Sequence, residues 1–369
     1  MKMRWGWSFA VALFMIAAGS VFAEEAGKSP VQISGFVDTY YSYNLNQPDD
    51  RNNDLANFDF DHNTFSLNLA EVVFSKAPAE KEPVGFRVDL DFGPTTDFVH
   101  GASGITSHPP IHPVTTESEI FKNVQQAYVT WATPIGLTFD MGKFVTHMGA
   151  EVIESKDNWN YTRGLLFCCA IPYYHAGLRV NYPISDMVFV NGYVYNGWNN
   201  VVENNNAKTF GAQIGFTPTK RLPIILNWIG PEDGLFGGEN LQVYDAIATL
   251  NLTDQLALMV NYDYGTNDAA PGGGSQSYSG IAAYARWAME RSALAARYET
   301  FNDDDGIVFG AADNTVQEFT VTAEHKVAGS LLLRLEYRQD MADADIFDDE
   351  GGGKTDSQSR VVAGVVYTF

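Results

Sequence analysis

Charged residues recur at a spacing of two in several short stretches of this 369-residue chain. Arg87, Asp89 and Asp91 form one row, Arg179 and Asn181 a second, Arg297 and Glu299 a third, and Arg334, Glu336 and Arg338 a fourth. In an extended strand every second side chain lies on the same face, so each row is a polar stripe. Facing stripes of guanidinium and carboxylate groups can discriminate solutes by charge and hydrogen bonding. They can equally do no more than solvate an interior and brace neighbouring strands. For any single residue the two readings stand level.

The segment 147–172 mixes chemistries. It carries Glu151, Glu154, Lys156, Asp157 and Arg163, the rings of Trp159 and Tyr161, and the apolar run Leu165-Leu166-Phe167. Such a mixture is poorly suited to extend freely in water, so the segment is expected to fold inward, with a packed external lid as the alternative. Other chemical candidates are weaker. His100, His108 and His112 share a stretch with Pro109, Pro110 and Pro113, but their spacing matches no standard zinc pattern, and a rigid Pro-rich loop explains them better. Asp303-Asp304-Asp305 and the group Asp343, Asp345, Asp348, Asp349 and Glu350 could hold Ca2+, or divalent ions shared with lipopolysaccharide, although solvated loops are the simpler reading. No cofactor is otherwise expected. His147 and His175 are available for acid–base work, yet no nucleophile elbow or equivalent motif accompanies them, so an enzyme is not expected. Cys168-Cys169 could form a vicinal disulfide in an oxidising compartment or remain two thiols, and both stay open.

The elements that must position these residues follow from hydropathy. Residues 1–23 read as a cleaved signal peptide: Lys2 and Arg4, an apolar stretch from Phe9 to Ala18, and a small-residue site ending at Val21-Phe22-Ala23. The remaining 24–369 form one domain. No later apolar run approaches the ~20 residues a membrane helix needs. Yet the chain is 45% hydrophobic and 13% aromatic, with the apolar residues spread through alternating stretches. That distribution suits a transmembrane β-barrel. The formal charge is −22, and losing Lys2 and Arg4 makes it −22 − 2 = −24. This acidity excludes nucleic acid as a partner and fits acidic external loops. It also predicts a cation preference, unless interior arginines reverse it.

Sixteen alternating segments can be traced: 31–44, 62–76, 83–94, 121–133, 137–146, 173–182, 187–197, 208–217, 223–230, 241–252, 256–265, 277–288, 292–302, 314–326, 331–340 and 358–369. An even count is what a single-chain bacterial barrel requires. The apolar phase slips near Ala70-Glu71, which predicts a bulge. Short turns alternate with longer polar loops at 45–61, 95–120, 147–172, 198–207, 231–240, 266–276, 303–313 and 341–357. The expected fold is therefore an all-β, antiparallel, closed barrel of about 16 strands with short periplasmic turns and long extracellular loops. Because an open sheet edge cannot face lipid, the first and last segments must pair. Tyr40, Tyr41, Tyr43, Trp131, Tyr182, Tyr262, Tyr264, Trp287 and Tyr337 are expected in the interfacial girdles. In the last segment Val361, Ala363, Val365, Tyr367 and Phe369 share a face. Its terminal Phe369, with Tyr367, resembles the signal read by the barrel-assembly machinery.

Three stretches go further: Lys143 to Ser155 with Asp157-Asn158-Trp159-Asn160-Tyr161, then Ala170 to Gly177, then Asn196-Gly197-Trp198-Asn199-Asn200. They resemble the OmpL-like putative β-barrel porin family, and the resemblance runs from Ile33-Ser34-Gly35 to the last segment. It implies an outer-membrane porin passing small hydrophilic solutes, with lipid, lipopolysaccharide and the assembly machinery as partners and a homotrimer as one expected assembly. In general porins the third loop narrows the lumen, which here would be 147–172. The competing expectation is a plugged structural or adhesive barrel without channel activity.

Overall fold

The computed structural model describes residues 30–100, 121–232, 240–268, 274–309 and 313–369. The proposed signal peptide lies outside them, as do His108 and His112. Sixteen antiparallel strands close into a barrel. They are β1 (Gln32–Asn44), β2 (Thr64–Lys76), β3 (Val84–Phe92), β4 (Val124–Ala132), β5 (Thr138–Val145), β6 (Tyr174–Ser185), β7 (Val188–Tyr195), β8 (Thr209–Thr219), β9 (Leu222–Glu232), β10 (Leu241–Asn251), β11 (Leu256–Asn267), β12 (Gln276–Ala288), β13 (Ser292–Asp303), β14 (Asn314–Ala328), β15 (Leu331–Ala342) and β18 (Ser357–Thr368). Two residue pairs between the last two wall strands, β16 (Phe347–Asp348) and β17 (Lys354–Thr355), make a separate small hairpin. Two short helices, α1 (Pro94–His100) and α2 (Leu165–Cys169), interrupt the second and third long connections.

All sixteen segments expected from alternation are wall strands. The reason is local: period-2 sequence leaves one face for lipid and one for the interior. On β18, Val361, Val365, Tyr367 and Phe369 are exposed outward, whereas Val362 and Val366 are buried inward. On β11 the outward set is Leu258, Val260, Tyr262 and Tyr264, against the buried Asn261 and Asp263.

Closure takes the required form. β1 pairs with β18 from Phe36↔Thr368 to Asn44↔Arg360. Next to the Phe36↔Thr368 pair, Gly35 and Phe369 exchange two backbone hydrogen bonds, each 3.0 Å. A side chain at position 35 would meet the Phe369 ring, so the missing Cβ of Gly35 makes room for it. Removing Phe369 deletes both bonds, at about 1 kcal/mol each, and uncovers the seam. Deletion of Phe369 is expected to lower the yield of inserted, heat-modifiable barrel while leaving unit conductance of the inserted fraction unchanged. Normal insertion would show that the terminal residue is not an assembly determinant.

The bulge expected near Ala70-Glu71 is present, centred on Asn68: between Asp38/Thr39 the partner register jumps from Leu69 to Leu67. The skipped Asn68 points inward and bonds Asp38, at 2.8 Å. Tyr40, expected in a girdle, instead faces the interior and packs near Tyr161. Trp131, Tyr182, Tyr262, Tyr264, Trp287 and Tyr337 do face outward.

The interior is where the fold departs most from the sequence reading. The connection after β1 was expected to be an external polar loop, yet residues 53–60 are buried. Phe58 is the reason. Its ring meets Phe60, Phe98, Phe167 and Tyr173, all within 6.4 Å between centroids. Three long connections thus meet in one aromatic cluster at the long-loop end of the barrel.

Candidate functional site: a loop docked on the charged wall

The connection 146–173 runs inside the barrel. Its base is closed by Thr146 N–H donating to Tyr173 O at 2.9 Å. It contains a single 3-10 turn (Ser155–Asp157) and α2, so most of its backbone groups must find partners elsewhere. The charged stripes supply them. Arg297 on β13 donates through Nη1 to Glu151, at 2.6 Å, and to Thr162 O, at 2.7 Å, while its Nε donates to Glu318 at 2.5 Å. Glu299 accepts the Leu165 amide at the start of α2. Glu336 on β15 accepts the amides of Tyr161, at 2.6 Å, and Thr162, at 3.0 Å. Arg334 donates to the carbonyls of Ser155, Asn158 and Asn160, and Arg338 to that of Arg163 at 2.5 Å. On β1, Asp38 accepts Ser155 Oγ, at 2.7 Å, and the Tyr161 hydroxyl, at 2.9 Å.

This arrangement solves an electrostatic problem. A buried carboxylate or guanidinium is tolerated only when paired and hydrogen-bonded. Here loop backbone and wall charges satisfy each other, arginines taking carbonyls and glutamates taking amides. The wall is also relieved of bulk beneath the loop: a side chain at Gly364 would collide with the Tyr161 ring, and one at Gly280 would meet Leu166.

Arg163 does not reach the wall through its own side chain. Its guanidinium gathers the carbonyls of Val152, Ile153 and Tyr161 and stacks on Phe58, 4.8 Å away. It therefore ties the loop to itself and to the inserted first loop. At the loop's start, Ala150 N–H donates to Asn261 at 2.9 Å. His147 Nε2 faces the Trp228 carbonyl at 3.1 Å, and its Nδ1 faces the Tyr195 hydroxyl at 3.0 Å. The Trp228 carbonyl requires a proton on Nε2, and burial pushes His147 down to about 3, so the ring is neutral and its Nδ1 accepts from Tyr195. His175 stacks on Tyr195 at 3.9 Å and bonds Gly197 O and Thr146. Both histidines hold the loop's base.

The remaining candidates sit elsewhere on the wall. Arg87 pairs with Asp89 at 2.9 Å and is a third exposed, and Asp91 opposes Glu71 across β2 and β3. Arg179 pairs with Asp140 at 2.7 Å. Glu154 lines the remaining opening. Burial raises its carboxyl above the usual range, and Asp157 adds to the rise. His100 ends α1 beside Gln125 and Lys143. Among the described residues no group of three metal-ligating side chains converges. Asp303 accepts the amides of Ile307, Val308 and Phe309, and Asp348 pairs with Lys354 at 2.6 Å. Cys168 and Cys169 form a disulfide within α2, buried against the barrel interior.

Beyond its start at His147 and Ala150, the loop lies on the charged side of the interior. On the β6–β10 side it leaves a cleft whose empty space, including the part continuous with solvent, is about 890 Å3. Its wall carries Arg179, Asn181, Asn191, Tyr193, Gln213 and Asn227. Except for Arg179 and Asn181, none of these was singled out as a site residue from the sequence. The signal was present, since Gln213 sits on the polar face of its alternating segment, but nothing local distinguished an uncovered wall from a covered one.

A narrowed, water-accessible barrel of this strand number has known relatives. The family described as putative beta-barrel porin-2, OmpL-like, matches residues 30–369. The chain belongs to this family. No curated protein matches it. Among solved structures, the porin resembles the outer membrane channel DcaP of Acinetobacter baumannii at 13% identity and a TM-score of 0.60, over 92% of this chain and 97% of that one. It also resembles the anion-selective porin from Comamonas acidovorans at 11% identity and 0.60, over 93% and 100%. A third is OmpT of Vibrio cholerae at 14% and 0.59, over 94% and 100%. At these identities the likeness concerns the fold.

Proposed function

We propose that this porin mediates passive diffusion of small hydrophilic solutes across the outer membrane, through the cleft between the inward loop 146–173 and the β6–β10 wall. The observation that carries the reading is asymmetry. The loop's backbone is tied to the charges of β1 and of the wall running from β12 to β18. Toward β6–β11 it makes contact near its start, at His147 and Ala150, and a cleft lined by polar groups remains. A barrel meant only as a scaffold has no need of a polar cleft beside a docked loop. In this reading the short turns and both chain ends face the periplasm, export follows a cleaved leader, and lipid, lipopolysaccharide and the assembly machinery are the surroundings. A homotrimer fits the same picture.

One observation favours a second reading, a closed barrel. The aromatic cluster around Phe58 packs the long-loop end of the interior. Planar-bilayer recording separates the two. Folded, heat-modifiable protein is expected to give discrete conductance steps in KCl, and a silent bilayer with well-folded protein would reject the channel in favour of the plug.

A further inference from the structure

The uncovered wall has a chemistry of its own. Asn181 pairs directly with Asn191 across β6 and β7, Asn191 with Gln213, Gln213 with Asn227, and Asn227 with Asp245. Four adjacent strands therefore present side-chain amides at one level, in register. They are wired together: Asn191 Nδ2 donates to Gln213 at 2.7 Å, and Gln213 Nε2 donates to Asn227 at 2.8 Å. Asn227 in turn donates to Asp245. Gln213 is the keystone of this chain: its Nε2 also donates to His147 O at 3.3 Å, and its Oε1 accepts from both Asn191 and Tyr193. It therefore fixes its neighbours, and the sites left for a solute are the Asn191 carbonyl oxygen and the unused amide positions of Asn181 and Asn227.

Apolar and aromatic groups flank this row. Tyr193 lies one step toward the long loops and shares Gln213 with Asn191. Ile225 and Ile247 pair with each other one step toward the short turns and are buried. Cationic charge is scarce along the same surface, whose lining also includes the carboxyl of Glu154. Arg179 is neutralised by Asp140 at 2.7 Å, and Glu151 by Arg297 at 2.6 Å.

We infer that the cleft favours uncharged, hydroxyl-rich solutes of the polyol or small-sugar type over anions of the same size. The inference rests on the channel reading above and names its solute class. Hydroxyl groups leaving water find the Asn191 carbonyl oxygen and the free amide positions of Asn181 and Asn227, all held in place through Gln213, and C–H faces find Tyr193 and the isoleucine pair. A carboxylate loses its hydration and meets no unneutralised cation along the row, so its desolvation is not repaid.

The test uses purified, folded protein in liposomes with KCl on both sides. Efflux of radiolabelled sorbitol and radiolabelled gluconate is measured in parallel. Sorbitol is expected to leave several-fold faster. Gln213→Leu, and separately Asn191→Leu, should bring the two rates together by slowing sorbitol. Tyr244→Phe, on the outward face of β10, should leave the ratio unchanged. Heat-modifiable mobility confirms folding of each variant, and having two ladder variants keeps the test alive if one fails to assemble. Gluconate matching or outrunning sorbitol in the unaltered protein overturns the proposal, as does an unchanged ratio in both folded ladder variants. Silence in KCl recordings would instead overturn the channel itself, and is recognised because no solute then passes.

Discussion

Replacing residues 150–165 by a short Gly-Ser link is expected to raise single-channel conductance several-fold. The segment lies inside the barrel and is held there by Arg297, Arg334, Arg338, Glu299 and Glu336. A barrel of about 16 strands without such an obstruction encloses an aqueous channel. Water entering the vacated space would solvate the exposed charges, so the barrel should persist while the narrow zone vanishes. The stripe on β13 and β15 would then face the passage for the first time, and ion selectivity should change together with conductance. Bilayer recording of the deletion variant checks both. Conductance equal to that of the intact protein would show that the loop does not limit the current.

Arg297→Met should be the most destabilising single change in the wall. The Arg297 side chain is fully buried and serves Glu151, Glu318 and two Thr162 atoms, with Glu299 a further 3.9 Å neighbour. Removing one member of a buried ionic cluster leaves uncompensated charge and costs about 3–5 kcal/mol. Arg87 is the internal comparison. Its side chain is 33% exposed and pairs with the buried Asp89, which keeps a hydrogen bond from Gln126 when Arg87 is removed. Arg87→Met should therefore cost less than Arg297→Met, which strips charge from three glutamates. Thermal conversion from the compact to the extended band on semi-native electrophoresis measures both. The variant at 297 should convert at a much lower temperature than that at 87, and its channels should flicker as the loop loosens. Equal shifts would mean that the loop is not held by the charged wall.

The contrast between these two arginines shows where the sequence stops. Both lie on alternating segments, both face inward, and nothing within ten residues of either separates them. What separates them is Thr162 and Glu151, which stand 135 and 146 residues from Arg297. Alternation reports the face a side chain takes, and it reported it correctly for every row of charges. It carries no information about what comes to lie on that face. The same limit explains the first loop, whose Phe58 looks exposed until Phe98, Phe167 and Tyr173 are brought to it. Tyr40 is a different case, since it shares its face with Asp38 and Ser42 and alternation itself turns it inward, against its expected place in a girdle.

The sixteen strands, their inward and outward faces and the closing of β1 on β18 are legible in the amino-acid order. These follow from local periodicity and from the rule that no backbone edge can be left in lipid. Contacts across the interior set which polar residues are consumed in holding a loop and which line the cleft. Charged rows on β13 and β15 are used up by backbone groups of a distant connection. The amides of Asn191, Gln213 and Asn227, unremarkable in the sequence, are left to line the opening. The physical reason is that a backbone without regular structure demands strong partners, and the charges, being the costliest groups to bury, are the ones satisfied by meeting it.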